Sequence, residues 1–209
     1  NSGNVNISIP EIFRILLRRT GEGKAYNIIW KIRLPRLCMA AILGGALSLS
    51  GFLLQTFFSN PIAGPYVLGI SSGAKMMVAL AMIIFLKYYT LVSSYILIIA
   101  AFIGSMLSIG FILLLARKIR NMATLLVGGI MIGYICSAVT DFVVTFAEDS
   151  DIVNLHGWSQ GSFSGMSWSN VKVAALMVGI TLILTFFLSK PIGAYQLGEM
   201  YAQSMGVNI

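Results

Sequence analysis

The sequence predicts an all-α polytopic membrane protein, and three observations carry that prediction. Of the 209 residues, 57% are hydrophobic and only 10% are charged, with a mean hydropathy of +0.88. A soluble domain carries about 25% charged residues, so these few charges would not cover a soluble core of this size. The apolar residues also fall in long unbroken runs of about 20, the length a helix needs to cross a bilayer. A membrane β-barrel would show short alternating segments instead. Finally, the connections between neighbouring runs are short, as in Lys87-Tyr88-Tyr89 and Arg117-Lys118-Ile119-Arg120-Asn121. A soluble enzyme, a disordered chain and a nucleic-acid-binding domain are all disfavoured.

Taken in order, Ser8-Ile9-Pro10-Glu11 reads as a helix start. Ser8 caps, Pro10 suits the first turn and Glu11 completes a capping box. Ile9, Ile12, Phe13 and Leu16 share one face, Arg14 and Arg18 lie elsewhere, and Gly21 and Gly23 end the helix. Three turns are too short to span, so this helix is expected to lie at the membrane surface. Five spans are expected to follow, over residues 37–58, about 67–86 with Lys75 inside, 91–116, 122–147 and 171–188. One long polar stretch, 148–170, holds Gly157, Gly161, Gly165, Trp158, Phe163 and Trp168. Tryptophan favours the headgroup level.

Between the first two spans, Asn60-Pro61-Ile62-Ala63-Gly64-Pro65-Tyr66 does not continue a helix. Irregular backbone near a membrane boundary must be buried in protein or face water. Ser71 or Ser72, in Gly69-Ile70-Ser71-Ser72-Gly73-Ala74, can cap the next helix. Small residues recur every four positions in Ala40-Gly44-Ser48, Ala100-Gly104-Ser108 and Gly129-Gly133-Ser137. Such stripes let helices approach closely in lipid. The third also fits a smooth, pore-lining face.

Charge is uneven. The net charge is +7, and seven of the 14 bases fall in the first 36 residues: Arg14, Arg18, Arg19, Lys24, Lys31, Arg33 and Arg36. In a membrane protein such a cluster means a cytoplasmic flank, an anionic lipid surface or an acidic partner.

Residues for covalent chemistry are scarce. Cys38 and Cys136 form no disulfide framework or metal-ligand spacing and are expected to pack in apolar runs. His156, the only histidine, reads as an exposed residue of the polar connection. There is no HExxH, GxSxG or Walker loop. Asp141 is the one acid inside a span, fitting either a substrate path or a solvated interface. Lys75 can snorkel, and Gln55 reads as an interhelical hydrogen bonder. The chain starts Asn1-Ser2-Gly3-Asn4, without initiator Met or signal-peptide pattern, and ends Val207-Asn208-Ile209. It is expected to be an internal piece of a longer protein.

Several motifs together resemble one family. Arg33-Leu34-Pro35-Arg36, the run Gly44-Gly45-Ala46-Leu47-Ser48-Leu49-Ser50-Gly51 with Gln55, and the whole of 60–74 look like the permease subunit of type II ABC importers. Those importers take up ferric siderophores, haem and cobalamin. The likeness continues in Leu125-Leu126-Val127-Gly128-Gly129, in Trp158-Ser159-Gln160-Gly161-Ser162-Phe163, and from Leu197 to Gly206.

The resemblance implies the helical bundle of that permease, incomplete, with this chain matching helices two to six of ten. It implies 1–36 as an extracytoplasmic segment with a surface helix, 37–189 as about five spans, and 190–209 as a cytoplasmic coupling-helix region, all within one permease domain. It implies a homodimer in the cytoplasmic membrane with lipid around it. Cytoplasmic ATPase subunits would hydrolyse ATP, and an extracytoplasmic binding protein would deliver a metal chelate, preferably an iron–siderophore. The chain itself would be no enzyme and would hold no cofactor or metal.

By position, Arg33 and Arg36 match arginines that receive acidic residues of the binding protein. Asn121, Met122, Ala123 and Thr124 match the cytoplasmic gate. Gly129, Gly133, Ser137 and Asp141 continue along the pore-lining helix. Gly198, Glu199, Ala202 and Gly206 match the helix that couples to the ATPase. Asn60, Pro61, Pro65, Gly69, Ser71 and Gly73 carry the structural motif. The charge count alone puts the basic amino-terminal segment in the cytoplasm; the family topology puts it outside, and the motifs are the more specific signal. The alternative is an ion-coupled carrier or channel acting without an ATPase, which would need an intramembrane ion relay such as Asp141.

Overall fold

The computed structural model describes residues 7–18, 23–88, 94–119 and 121–208, and the side chains of these except 18, 84–88 and 94. Gly21, Arg19, Tyr89, Leu91, Arg120 and both chain ends fall outside the described residues, as do the side chains of Arg18 and Lys87. All regular structure among the described residues is helical. It divides into two compact units. One holds Asn1–Leu47 with Ser162–Lys190, the other Ser48–Gly161 with Pro191–Ile209.

The first unit contains α1 (Ile9–Arg18), α2 (Lys24–Asn27), a π-helical stretch (Ile28–Arg33), the first half of α3 (Leu34–Phe58) and α8 (Trp168–Phe187). Ser8 stands at the start of α1, where its carbonyl accepts the Ile12 N–H at 3.0 Å. The apolar face predicted for α1 is divided. Ile12 turns inward, and Ile15, outside that face, is buried with Ile7 and Ile29. Ile9, Phe13 and Leu16 stay exposed, joined by Leu17.

The first span begins earlier than position 37: the helical run is continuous from Lys24 to Phe58. Pro35 does not break it, because the turn before it is widened. The Leu34 N–H bonds five residues back, to the Ile29 carbonyl. A wide turn relieves the clash of a proline ring with the preceding turn. The next bond of that ladder would run from position 35 to the Trp30 carbonyl, and proline has no N–H to give. The indole N–H of Trp168 donates to that carbonyl instead, at 2.7 Å. α8 starts at Trp168 rather than Val171, and the Asn170 side chain accepts the Ser167 N–H at 3.3 Å there.

The second unit contains the rest of α3, α4 (Ile70–Tyr88), α5 (Ser94–Ala116), α6 (Met122–Val144), α7 (Asp149–Gln160), α9 (Ser189–Gln196) from Pro191 onward and α10 (Glu199–Ser204). α4 is its centre, packed on α5, α6 and α7. α3 ends with Ser59 in the left-handed region at φ 48°. The Asn60 N–H returns to the Gln55 carbonyl at 3.1 Å and the Ser59 N–H to Thr56 at 3.2 Å, a paired closure of the helix end.

Linked turns then run to Gly69. Asn60 Oδ1 accepts the Ile62 N–H, the Asn60 carbonyl the Ala63 N–H, and the Gly64 carbonyl the N–H groups of Val67 and Leu68. These bonds let irregular backbone bury itself. Ala63 and Leu68 are fully enclosed, in a core with Phe58, Ile112, Leu125, Ile132 and Cys136. The turns take residues 67–69 from the second predicted span, so α4 begins at Ile70. Gly69, at φ 70°, occupies the position before α4. Ser71 and Ser72 therefore sit inside its first turn and do not cap it. Lys75, one turn on, is exposed.

Among the described residues, four helical stretches are long and apolar enough to cross a membrane: Lys24–Phe58, Tyr95–Ala116, Met122–Val144 and Trp168–Phe187. α4 is the exception among the five expected spans. It has 19 residues, about 28 Å of helix, and its described apolar part is Ile70–Ile83. The polar stretch 148–170 is not simply a loop, for it folds into α7. Asp149 and Asp151 lie in the first turn of α7, where carboxylates favour the helix dipole. Leu155 is buried in one cluster with Val78, Met82 and Ala100. His156 is exposed on this helix.

Candidate functional site

The candidate site is built where the motif of residues 60–74 meets α6. Gly69 and Gly133 touch backbone to backbone: a Cβ on Gly69 would stand 2.6 Å from the Gly133 nitrogen. A Cβ on Gly129 would stand 2.9 Å from the Leu68 side chain. On its other side α4 meets α5 as closely, since a Cβ on Gly104 would fall 2.1 Å from the Gly73 carbonyl oxygen. Ser108 is buried in that seam, so the stripe Ala100-Gly104-Ser108 is internal packing. By contrast, a Cβ on Gly44 would meet nothing within 4 Å.

These contacts split the α6 stripe. Gly129 is buried against Leu68 and lines no open face. Gly133 and Ser137 line a groove of about 320 Å³. Val67 and Ile130 complete its apolar lining, and its hydroxyls come from Tyr66, Ser72, Tyr134 and Ser137. The groove has no charged lining residue. Tyr134 was not among the residues singled out from the sequence, and Ser72 was read there only as a helix cap. Their signal was position: Tyr134 follows Gly133 on the stripe, and Ser72 lies inside the motif.

At the start of α6, Asn121 caps the helix. Its Oδ1 accepts the N–H groups of Ala123 at 2.9 Å and Thr124 at 3.2 Å. Ala123 and Thr124 are exposed and Met122 is half-buried. Asp141, near the other end of α6, is also exposed. The groove and residues 121–124, expected from the resemblance to form a gate, thus lie on or at the start of one helix, while Asp141 does not line the groove.

Arg33 and Arg36 lie where the π-helical stretch joins α3, and both are half-buried. Arg36 is held by its own unit, because its Nη2 donates to the Ser164 carbonyl. Its Nε is enclosed. The bond ties α3 to the turn preceding α8, a pairing across 128 positions.

The carboxyl-terminal elements form a separate candidate. α10 lies between Gly198 at φ 116° and Gly206 at φ 81°. The Val207 N–H returns to the Ala202 carbonyl at 3.0 Å and the Gly206 N–H to Gln203 at 3.0 Å. This closure requires a left-handed residue at Gly206. Ala202 is fully buried and Glu199 is exposed. Gln196 of α9 donates from Nε2 to Thr56 Oγ1 of α3 at 3.0 Å. The polar bridge expected from Gln55 is thus made by its neighbour, and the Gln55 side chain is exposed. Among the described residues, no group of three or more His, Cys, Asp and Glu is placed to hold a metal ion.

The chain matches the FecCD transport family over residues 1–209. It is 34% identical to the hemin transport system permease protein HmuU of Yersinia pestis, over 100% of this chain and 62% of that protein. It is 33% identical to the vitamin B12 import system permease protein BtuC of Klebsiella pneumoniae, over 89% of this chain and 55% of that protein. The chain therefore spans between half and two thirds of the length of these relatives. Its fold is similar to a solved structure described as an inward-facing conformation of an ABC transporter assigned to the metal-chelate type. The TM-score there is 0.77 at 23% identity, covering 92% of this chain and 60% of that one. With its apolar spans, the chain is a multi-pass protein of the cytoplasmic membrane. It belongs to the FecCD transport family.

Proposed function

We propose that the protein acts as the permease subunit of an ATP-driven type II importer that moves a metal chelate across the cytoplasmic membrane. The observation that carries this reading is the family match over the whole of residues 1–209. The geometry supports it. Irregular backbone is buried on a long apolar helix, and beside it lies an uncharged groove edged with four hydroxyls. Such a surface gives a large chelate weak, distributed contacts and no strong trap. The permease supplies a path and performs no covalent step.

The cargo we propose is an iron–siderophore or a chelate of similar size. The relatives named for hemin and vitamin B12 bracket that class. Two copies of the permease enclose the path. ATP binds partner subunits, and α10 passes their closure to the helices. The binding protein docks through Arg33 and Arg36, whose planar forks suit carboxylates.

Reconstitution with its ATPase and binding protein in liposomes tests this reading. Labelled ferric siderophore, hemin and cobalamin are offered with ATP, without ATP, and with a proton gradient alone. Uptake of one chelate that requires ATP supports the proposal. Uptake driven by the gradient in the absence of ATP overturns it in favour of a carrier.

A further inference from the structure

We infer that α1 is a lipid-contact element, its outer stripe bedded at the headgroup–acyl boundary of an anionic leaflet and held at that depth by Trp30. The stripe is Ile9, Phe13, Leu16 and Leu17, spaced along one side of the helix and exposed, with Leu17 at 81%. The opposite side of α1 is occupied, since Ile12 and Ile15 pack on Ile29 and its neighbours. The helix therefore has two apolar faces, and the fold uses one of them.

The unit itself indicates the occupant. The Trp30 indole N–H donates to the Ile15 carbonyl of α1 at 3.4 Å. Trp30 also packs at a tilt against Tyr26 and Trp168, each pair with ring centroids 6.2 Å apart. Tyrosine and tryptophan gather at the headgroup level, and this trio stands at the beginning of two apolar spans, Lys24–Phe58 and Trp168–Phe187. The aromatic cluster thus marks the membrane boundary, and α1 is bonded to it. Among the described residues only 6% of the apolar window of each span is buried, so both spans present apolar surface beside the aromatic cluster.

Charge selects the lipid. Residues 1–36 hold seven bases against Glu11 and Glu22. Arg14, Lys24 and Lys31 are exposed in the same unit as the stripe. An amphipathic helix with apolar and basic flanks binds anionic surfaces more strongly than neutral ones.

The test uses the intact transporter in nanodiscs, with Cys38→Ala and Cys136→Ala as background and a spin label at Phe13→Cys, Leu17→Cys or, as a control, Glu11→Cys. Collision with oxygen and with a water-soluble nickel chelate reports depth. In phosphatidylglycerol discs, labels at 13 and 17 should lie about 5–10 Å into the headgroup–acyl boundary, and the label at 11 should be nearer water. In phosphatidylcholine discs, or with Arg14→Gln, labels at 13 and 17 should move toward water. Equal depth in both lipids, unmoved by Arg14→Gln, overturns the anionic assignment. Labels open to nickel overturn lipid contact altogether. So do labels shielded from both reagents, which would show that a second copy or another protein covers the stripe. Arg14→Lys should keep the depth, separating charge from local packing. ATP-driven uptake is not read in this experiment, so its outcome is independent of the transport reading.

Discussion

The indole N–H of Trp168 lies 2.7 Å from the carbonyl oxygen of Trp30, and Pro35 is the reason this bond is needed. The wide turn before Pro35 directs Leu34 to Ile29 and leaves the next carbonyl to a residue without an N–H. Trp168→Phe keeps an aromatic ring, though a smaller one, and removes the donor. It should cost about 1–3 kcal/mol, the range for a buried polar group left without its partner, read as a lower unfolding temperature in detergent. Pro35→Ala restores a backbone N–H at position 35. In that background Trp168→Phe should cost less, and a double-mutant cycle measures the difference. Equal costs in both backgrounds would contradict the account of this turn.

The glycine seams make a graded prediction. Gly104→Ala drives a methyl into the Gly73 carbonyl, and Gly69→Ala adds a left-handed φ to a clash with Gly133. Each should destabilise by about 1–3 kcal/mol, the usual range for overpacking. Gly45→Ala, whose Cβ meets nothing within 4 Å in the interior of α3, should not destabilise and should gain up to about 1 kcal/mol from helix propensity. Thermal unfolding of the three variants side by side decides whether the seams are as tight as described.

Ser59 offers the opposite sign. It holds φ 48° without the freedom of glycine. Ser59→Gly should stabilise the end of α3 by about 1 kcal/mol, the cost of a left-handed residue with a side chain. A lower unfolding temperature in this variant would show that the hydroxyl, not the backbone, governs the turn.

The two arginines should separate by stability rather than by charge. Arg36→Ala loses the bond to Ser164 and should lower the unfolding temperature. It should also raise protease sensitivity between α7 and α8. Charge reversal at either arginine should weaken capture of the binding protein in a pull-down. Unchanged capture in both reversals would remove the docking assignment.

Much of this fold was readable from the residues, and the gaps have physical causes. The start of α6 at Met122 was legible, and the structure adds the cap that Asn121 supplies there. The start of α4 was displaced because Val67, Leu68 and Gly69 are apolar or small and read as helix, yet their N–H groups close turns. α7 was hidden because Asp149, Asp151 and His156 dilute its apolar side to little more than Leu155. The stripe on α6 showed that close contact occurs but not with what. Only folding assigns Gly129 to Leu68 and sets Gly133 against Gly69 at the edge of the groove. Arg36 looked outward from sequence because its partner, Ser164, is a backbone carbonyl far along the chain.

The central claim is that this chain forms the path of an ATP-driven importer, and one measurement tests it most directly. The transporter is reconstituted with its ATPase and binding protein, and labelled chelate uptake is followed in the parent and in Gly206→Val, which breaks the left-handed turn after α10. The account predicts ATP-dependent uptake in the parent. In Gly206→Val it predicts a large loss of uptake with binding-protein capture intact. Uptake that proceeds without ATP, or that is indifferent to Gly206→Val, would contradict it.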